Sequence, residues 1–215
     1  TDGEMARLDA LAQEHGIPLI IDNAYGMPFP NIIYSDVTLN WHENIILCFS
    51  LSKVGLPGVR TGIIVAAPEV VKAVSSLNAI VNLSPTRFGA AIVTPLLQDG
   101  RLKQLSDDVI RPFYRNQAQT AVSLLKRELG AYPLKIHKPE GAIFLWLWFE
   151  NLPVSSQTLY EMLKAEGTLI IPGEHFFVGI DTQDYPHARE CIRMSIAQDA
   201  ETLEKGIAAI GRVVR

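Results

Sequence analysis

Lys53 lies in the stretch SLSKVGLPGVRTG (50–62), directly after the apolar run NIILCF (44–49). A lysine in this place has three possible roles, as a solvated loop charge, a phosphate ligand or a nucleophilic amine. In the phosphate-loop motif GxxxxGK[ST], the glycines precede the lysine and a helix follows it. Here the glycines follow Lys53 and the next segment, GIIVAA (62–67), predicts a strand, so that motif is absent. A solvated charge and a nucleophilic amine remain open.

A second polar group follows the run IPLIID (17–22), which predicts another strand. Ligands of open α/β sheets gather beyond the carboxyl ends of the parallel strands. The polar side chains at the two predicted strand ends are Asp22, Tyr25, Ser50, Ser52, Lys53 and Arg60. A lysine that holds pyridoxal 5′-phosphate (PLP) as a Schiff base needs an acid for the ring nitrogen and hydrogen-bond donors for the phosphate. The residue types at the strand ends match those needs.

The composition is that of an ordinary globular protein, with 48% hydrophobic and 20% charged residues among 215. The formal net charge of −4 and the lack of a basic cluster in the sequence give a nucleic-acid partner no electrostatic support. No apolar run reaches the ~20 residues of a membrane-spanning helix. Cys48 and Cys191 are far apart and each lies beside an apolar run, so we expect buried free thiols in a reducing compartment. These features predict a cytoplasmic protein without a nucleic-acid or membrane partner.

The order of elements predicts an α/β fold. Thr1 and Glu4 have capping-box spacing, and the amphipathic helix that follows them ends at Gly16. Three β-branched runs (17–22, 44–49 and 62–67) are typical of strands buried on both faces, and residues 23–43 predict an irregular connection. The linker before the third run is too short and too rich in glycine and proline for a helical crossover. We therefore expect the third strand to run antiparallel.

From Pro68 the pattern is helical as far as Gly130, and Pro112 predicts a kink or a restart. Beyond Gly130, strand-like segments alternate with helical ones, which predicts a smaller α+β domain. We expect a partial large cofactor-binding domain, an interdomain helix and a small C-terminal domain, at residues 1–108, 109–130 and 131–215.

The strand-end motifs D-x-x-Y (Asp22, Tyr25), S-x-S-K (ending at Lys53) and G-x-R (ending at Arg60) resemble those of the fold-type I, class I/II aminotransferases. LIIPGEHF (169–176) and CIRMSIA (191–197) are similar to C-terminal signatures of the family. The resemblance covers essentially the whole chain, but it matches only the later half of a typical member. Because the sequence opens at Thr1 without an initiator methionine, we interpret it as a fragment of a longer chain. The resemblance implies an incomplete PLP-transferase-like large domain, with a mostly parallel sheet and helices on both faces, beside the smaller α+β domain.

The resemblance also implies roles for the residues at the strand ends. Asp22 would accept a hydrogen bond from the protonated pyridine nitrogen, and Tyr25 would donate one to the 3-hydroxyl oxygen of the cofactor. Lys53 would hold the cofactor as a Schiff base and then act as general acid and base at the substrate α-carbon. From the residues alone, Asp22 is alternatively an aspartate that caps a turn, although its spacing to Tyr25 makes this less favoured, and Tyr25 is alternatively an ordinary half-buried tyrosine.

Ser50 and Arg60 would bind the phosphate, and Ser52 would assist or only cap the loop. Arg60 lies seven residues after Lys53, where many members have eight, so this loop is one residue shorter. Arg193 is the candidate for the substrate α-carboxylate, because a planar guanidinium binds a carboxylate through two hydrogen bonds. As the one charge in an apolar strand, Arg193 is alternatively an outward-facing strand residue.

The activity that the resemblance implies is transamination between an amino-acid substrate and a 2-oxo-acid substrate such as pyruvate. The sequences of several segments most resemble those of family members that use small aliphatic amino acids of valine and alanine type. Two alternatives stay open: a PLP-dependent lyase or synthase, and an aminotransferase-like sensing domain of a transcription regulator. Family members are usually homodimers. Without the upstream motifs of the family, the isolated fragment is expected to bind PLP weakly and to be inactive.

Several other residues carry weaker interpretations. The aromatic block FLWLWF (144–149) predicts core rather than a stacking platform. Residues 174–177 follow a Pro-Gly turn and could shape the choice of substrate side chain. The histidines are expected on the surface or in loops, without metal-ligand spacing: His42, His137, His175 and His187.

Overall fold

The computed structural model describes residues 1–35, 37–84 and 86–215. The chain divides into two compact units, Thr1–Pro112 and Phe113–Arg215. The predicted division into residues 1–108, 109–130 and 131–215 stays a prediction about domain roles.

The first helix begins where the sequence predicts it. Helix α1 (Asp2–Glu14) has Thr1 as its N-cap, and the Thr1 hydroxyl accepts from the backbone N–H of Glu4 at 3.4 Å. The Glu4 side chain reaches back to Thr1, which completes the capping box. Gly16 follows the helix with φ of +61°, a conformation that favours glycine at the end of a helix.

A three-stranded sheet forms in the first unit from β1 (Leu19–Asp22), β2 (Ile45–Ser50) and β3 (Gly62–Val65), in the order β1-β2-β3. β1 and β2 are parallel, and β3 runs antiparallel to β2, which confirms the expectation for the third strand. The described residues between β1 and β2 form an irregular connection, as predicted.

The prediction that all three strands are buried on both faces is wrong for β1 and β3. Ile20 on β1 is 63% exposed and Ile64 on β3 is 41% exposed, whereas Ile45 and Leu47 on the central β2 are buried. β1 and β3 are the two edges of the sheet, so each has a neighbouring strand on one side only. An apolar run in the sequence predicts a strand, but it does not predict how much of the strand its neighbours cover.

The remainder of the first unit is helical. Its helices are α2 (Pro68–Asn82), α3 (Phe88–Gln98) and α4 (Arg101–Leu105), and α5 (Arg111–Leu129) begins at its end. A π-helical turn, Ser106–Ile110, lies directly before α5 and its Pro112. The widened turn stands where the sequence predicts a kink or restart, because a proline has no N–H to continue the helical ladder. The core cluster of this unit consists of Phe29, Leu51, Val54, Val93 and Leu102.

The second unit contains a four-stranded antiparallel sheet in the order β4-β5-β7-β6. Its strands are β4 (Leu134–Ile136), β5 (Phe144–Phe149), β6 (Ile171–Pro172) and β7 (Cys191–Ser195). The helices of this unit are α6 (Ser156–Ala165), α7 (Pro186–Glu190) and α8 (Ala200–Val214). α7 was not predicted from the sequence, because five residues are too few to show a helical period.

Alternate residues of β5 form the core of the second unit. Leu145, Leu147 and Phe149 are at most 1% exposed, and α6 and α8 provide further buried side chains. Both helices have capped N-termini: the Ser155 hydroxyl accepts from the Thr158 N–H at 3.1 Å, and Asp199 caps α8 in the same way.

Within the described residues, no helix is long and apolar enough to cross a membrane. Both cysteines are free thiols, and Cys191 is buried as predicted. Cys48 is only half-buried, which corrects the expectation for that residue, because it lies beside the exposed end of β1.

Candidate functional site

The parallel pair β1 and β2 places the predicted cofactor residues at one edge of the sheet. Asp22 ends β1 opposite Cys48, and Ser50 ends β2 two residues further along. Because β3 is antiparallel, its first residue, Gly62, pairs with Ser50, and Arg60 lies just before it. The backbone thus brings Asp22, Ser50 and Arg60 to the edge at which open α/β sheets bind ligands.

Lys53 lies in a 3₁₀ turn, Leu51–Val54, that begins directly at the end of β2. Leu51 and Val54 are buried in the core of the first unit, 0% and 8% exposed, and their packing anchors the turn to that core. Gly55 ends the turn with φ of +96°, where a residue with a Cβ would be strained. The two buried neighbours hold the backbone of Lys53, while its side chain stays half-buried.

Ser50 is the residue that caps this turn. Its hydroxyl oxygen accepts from the backbone N–H of Ser52 at 3.2 Å. The sequence left open that Ser52 caps the loop, but the side chain that caps this turn is that of Ser50. Since the bond uses only the acceptor side of the Ser50 hydroxyl, its proton can still be donated to a bound anion.

Tyr25 lies beside the Lys53 amine, with Lys53 Nζ 5.6 Å from the centroid of the Tyr25 ring. This distance is within the range of a cation–π contact. Among the residues that the structure describes, Lys53 has no ion pair with a carboxylate. The Lys53 amine is therefore not neutralised by a carboxylate of the described chain.

Asp22 has one carboxylate oxygen engaged in the turn that follows β1. Asp22 Oδ1 accepts from the backbone N–H of Ala24 at 3.2 Å, so the turn-capping interpretation of Asp22 is correct for that oxygen. Oδ2 has no hydrogen-bond partner in the described part of the chain, and the residue is exposed. Burial, and in second place the negative charge of Asp22, raises the pKa of the Cys48 thiol. The Asp22 carboxylate thus has one oxygen available to a ligand.

The turn that carries Tyr25 depends on two residues that were not predicted as site residues, Asn23 and Gly26. Asn23 is buried; its backbone N–H donates to the Cys48 carbonyl at 2.8 Å and its amide donates to the Met27 carbonyl at 2.6 Å. A Cβ on Gly26 would lie 1.9 Å from Asn23 Oδ1, so this position accepts only glycine without rearrangement. The available signal was the pairing of Asn with Gly in DNAYG, a turn combination.

Arg60 stands in the left-handed region, with φ of 46°, directly after the 3₁₀ turn Pro57–Val59. The loop is held closely by α3, because a Cβ on Gly89 would lie 2.1 Å from Thr61 Oγ1. Arg60 lines a cavity of about 500 Å³ whose other walls carry amide and hydroxyl side chains: Thr61, Asn78, Asn82, Ser84 and Thr86. No hydrogen bond joins Arg60 to Ser50 or Lys53 among the described residues. The structure places Arg60 at the same edge of the sheet but leaves its guanidinium exposed.

Arg193 belongs to the second unit, on β7, one of the two inner strands of its sheet. It is half-buried, and its Nε is buried without a hydrogen-bond partner among the described residues. Arg193 lines a cavity of about 300 Å³ together with Trp146 and residues 137–141. A buried N–H donor beside a cavity is the arrangement that an incoming acceptor would satisfy.

Only alternate residues of the aromatic block FLWLWF are buried in the core. The prediction that this block is core is therefore correct for one face of the strand and wrong for the other. Leu145, Leu147 and Phe149 face the core, whereas Phe144, Trp146 and Trp148 are half-buried on the other face. Trp146 is the direct cross-strand partner of Arg193. The two faces differ because the side chains of a strand point alternately to opposite sides.

The histidines make local contacts. His42 Nε2 lies 2.9 Å from Asp9 Oδ2, and the ring of His187 packs edge-on against that of Trp148 at 4.6 Å. In the part of the chain that the structure describes, no group of three or more His, Cys, Asp or Glu side chains could hold a metal ion.

Comparison with known proteins places this arrangement in a family. The model of the class I and II aminotransferases matches residues 2–210. The valine–pyruvate aminotransferase of Escherichia coli K12 is 47% identical over 207 residues, which are 96% of this chain and 49% of that protein. The 2-aminoadipate transaminase of Thermus thermophilus is 25% identical over 217 residues, with 97% of this chain and 52% of that protein covered. The chain spans about half the length of these curated relatives.

Solved structures agree with this α/β fold. The crystal structure of valine–pyruvate aminotransferase from Salmonella typhimurium LT2 is 45% identical with a TM-score of 0.93, and the match covers 100% of this chain and 55% of that one. A crystal structure from Psychrobacter arcticum 273-4 is 68% identical with a TM-score of 0.96, covering 100% of this chain and 49% of that one. With a family match along nearly its whole length and this fold, the chain belongs to the class I and II aminotransferases.

Proposed function

We propose that this protein is a PLP-dependent transaminase that moves an amino group between an amino acid of valine or alanine type and a 2-oxo acid such as pyruvate. The observation that carries the proposal is the placement of the Lys53 amine beside Tyr25, at the sheet edge where Asp22 ends the neighbouring strand. The names of the valine–pyruvate relatives support the choice of substrates. A lyase or a sensing domain is not favoured, because these relatives are transaminases.

The residues at the sheet edge fit PLP in their chemistry. Lys53 supplies an amine without an ion pair among the described residues, and Asp22 has a carboxylate oxygen without a partner there. Arg60 lines a polar cavity, and the Ser50 hydroxyl keeps its proton to donate. When bound, PLP supplies an aldehyde and a ring that withdraws electrons from the substrate α-carbon.

Lys53 would hold the cofactor and then carry the proton that leaves the substrate α-carbon. The free oxygen of Asp22 would hold the proton on the cofactor ring nitrogen. The Tyr25 hydroxyl would donate a hydrogen bond to the 3-hydroxyl oxygen of the cofactor.

Ser50 and Arg60 would donate to the cofactor phosphate, the guanidinium through charge-assisted bonds. Ser52 would take part through its hydroxyl, which has no hydrogen-bond partner among the described residues. Arg193 would bind the α-carboxylate of the substrate and thereby orient the Cα–H bond for removal. The buried Nε of Arg193, which has no hydrogen-bond partner among the described residues, supports this assignment.

We also propose that residues 1–108 are part of a cofactor-binding large domain with a mostly parallel sheet, that 109–130 form an interdomain helix and that 131–215 are the small domain. The two compact units support this division. We propose a homodimer in the cytoplasm as the working form. The homodimer is supported by an exposed apolar stripe on α2, formed by Val74, Leu77, Ile80 and Val81, and the cytoplasmic location by two free cysteines.

The proposal is tested with the full-length protein on a panel of amino acids and 2-oxo acids. Valine with pyruvate is expected to give the highest kcat/KM, with alanine as product. Lys53→Ala is expected to lower kcat by about 10²–10⁴-fold, the usual contribution of a general acid–base group.

Lys72→Ala is the matched control, because Lys72 is an exposed lysine on α2 outside the candidate site. It is expected to keep wild-type kinetics. Activity that survives in Lys53→Ala would remove Lys53 from the mechanism, and a panel without any transamination would overturn the proposed function.

A further inference from the structure

An aromatic surface surrounds Arg193 on one face of the second-unit sheet. Trp146 on β5 lies directly across from Arg193, and Ile171 on β6 is its partner on the other side. Phe144 lies two residues from Trp146 on the same face. The guanidinium therefore extends over rings and aliphatic groups.

Two rings lie against the guanidinium itself. Arg193 Cζ is 4.1 Å from the centroid of the Phe144 ring and 4.9 Å from that of Phe176. Both distances are within the range of a cation–π contact, whose attraction depends on the position of the charge over the ring. The structure describes no ion pair between Arg193 and a carboxylate. Glu174, in the same turn as Phe176, instead accepts from the Ser156 hydroxyl at 3.4 Å.

The turn Gly173–Phe176 places Phe176 against Arg193. Gly173 is buried, and a Cβ there would lie 2.5 Å from the Cys191 carbonyl oxygen and 2.7 Å from that of Ala188. The turn therefore lies in direct backbone contact with the start of β7. The Phe176 ring also packs edge-on against Trp146, with centroids 5.2 Å apart.

An arginine that must bind a carboxylate has to be oriented without losing its donors. A protein carboxylate would orient the guanidinium, but it would also occupy the N–H groups that a substrate needs. An aromatic face attracts the cation and offers no competing carboxylate. This arrangement leaves the N–H groups available, in agreement with the buried Nε, for which the described part of the chain offers no hydrogen-bond partner.

We propose that Phe144 and Phe176 are positioning residues that hold the Arg193 guanidinium ready for a substrate carboxylate. The inference rests on the proposed function, in which Arg193 binds the α-carboxylate. It differs from the expectation that residues 174–177 select the substrate side chain, because a residue that acts through Arg193 affects all carboxylate substrates alike.

The test measures carboxylate binding directly on full-length protein labelled with ¹⁵N-arginine. The Nε–H resonance of Arg193, assigned by its loss in Arg193→Gln, is followed during titration with 3-methylbutanoate, and 3-methylbutanamide serves as the uncharged control. Phe176→Leu keeps apolar bulk but removes the ring, and it is expected to raise Kd for 3-methylbutanoate by about three- to tenfold. Phe176→Tyr keeps the ring and is expected to restore binding.

Phe177→Leu is the matched control, because the Phe177 ring contacts Trp146 and Tyr185 and has no described contact with Arg193. It is expected to bind 3-methylbutanoate like the wild type. In steady-state assays, Phe176→Leu is expected to raise KM for alanine and valine by the same factor while kcat changes little. Since Phe176 is 42% exposed, its replacement is expected to leave the fold intact.

Unchanged Kd in Phe176→Leu, or equal losses in Phe176→Leu and Phe176→Tyr, would overturn the inference. A KM effect on valine without one on alanine would also overturn it, because Phe176 would then contact the substrate side chain. If Arg193→Gln still bound 3-methylbutanoate with wild-type affinity, the carboxylate role of Arg193 would fail as well. Loss of Arg193-dependent binding in Phe176→Leu, in a protein without transaminase activity, would uphold the inference and overturn the proposed function alone.

Discussion

At the scale of single residues, the position of Tyr25 beside Lys53 depends on a small set of hydrogen bonds. Asn23 is held by the Cys48 carbonyl through its backbone and by the Met27 carbonyl through its side chain. Gly26 provides the space that the Asn23 amide occupies. The residues that keep the aromatic ring near the amine are therefore outside the set that would contact the cofactor.

Gly26→Ala tests this arrangement. The new Cβ would lie 1.9 Å from Asn23 Oδ1 and would force the amide away from the Met27 carbonyl. The loss of a buried hydrogen bond and the crowding are expected to lower the free energy of unfolding by about 1–3 kcal/mol, measured by urea denaturation. Gly3→Ala is the control, because a Cβ there would meet nothing within 4 Å beyond its chain neighbours and the backbone of its own helix, and alanine favours a helix. Equal stability of the two variants would contradict the role of Gly26.

At the scale of elements, α1 is connected to the segment before β2 through His42. His42 Nε2 lies at hydrogen-bond distance, 2.9 Å, from Asp9 Oδ2 on α1. The Asn44 backbone N–H donates to His42 Nδ1 at 3.3 Å. The pKa of the Asp9 carboxyl is lowered mainly by the hydrogen bond from His42 and, to a smaller extent, by the hydrogen bond from Gln13. This contact links the first helix to the strand that carries the Lys53 turn.

The lowered pKa of Asp9 makes the contribution of this contact depend on pH. A carboxyl with a lower pKa in the folded state stabilises the fold above its unfolded pKa of about 3.9, and this stabilisation disappears as pH falls through the folded pKa. Asp9→Asn is therefore expected to be less stable than wild type at about pH 6. The difference is expected to shrink between about pH 4 and pH 2, followed by urea midpoints.

Glu14→Gln serves as the control for the removal of one charge from α1, since Glu14 has no described hydrogen bond or ion pair. It is expected to show no comparable pH-dependent difference from wild type. A deficit of Asp9→Asn that stayed constant down to about pH 2 would contradict the assignment to the Asp9 carboxylate.

At the scale of the whole molecule, α2 presents an apolar stripe to solvent. Val74, Leu77, Ile80 and Val81 recur at helical spacing and are 39%, 61%, 77% and 69% exposed. Among the described residues of α2, none is buried. Soluble proteins rarely expose large contiguous apolar patches, so we expect this stripe to be covered in the full-length protein, and the proposed homodimer would place a second copy there.

Ile80→Glu tests the proposed homodimer. A charge within the stripe would have to be desolvated in the interface, so the dimer dissociation constant is expected to rise about tenfold or more, measured by sedimentation velocity. Ser75→Glu places the same charge on the opposite side of the helix and is expected to leave association unchanged. A dimer of undiminished affinity in Ile80→Glu would exclude this face of α2 from the interface.

The sequence by itself determined the residue types at the strand ends and the order of the elements apart from the five-residue helix α7. Asp22 ends one apolar run, and Ser50 directly follows the next run, three residues before Lys53. That pattern depends only on neighbours in the chain. The antiparallel direction of β3 was also predictable, because a linker of about a dozen residues rich in glycine and proline cannot form a crossover. The roles assigned to these residues in cofactor binding remain predictions.

Only the tertiary structure decided which faces are covered and which distant side chains meet. Ile20 is exposed because β1 is an edge strand, and Phe144 and Phe176 lie against Arg193 because β5, the 173–176 turn and β7 pack together. These two residues are separated from Arg193 by 49 and 17 positions in the chain. Periodicity describes the environment of a residue along its own element, whereas contacts between elements depend on how the side chains pack in three dimensions.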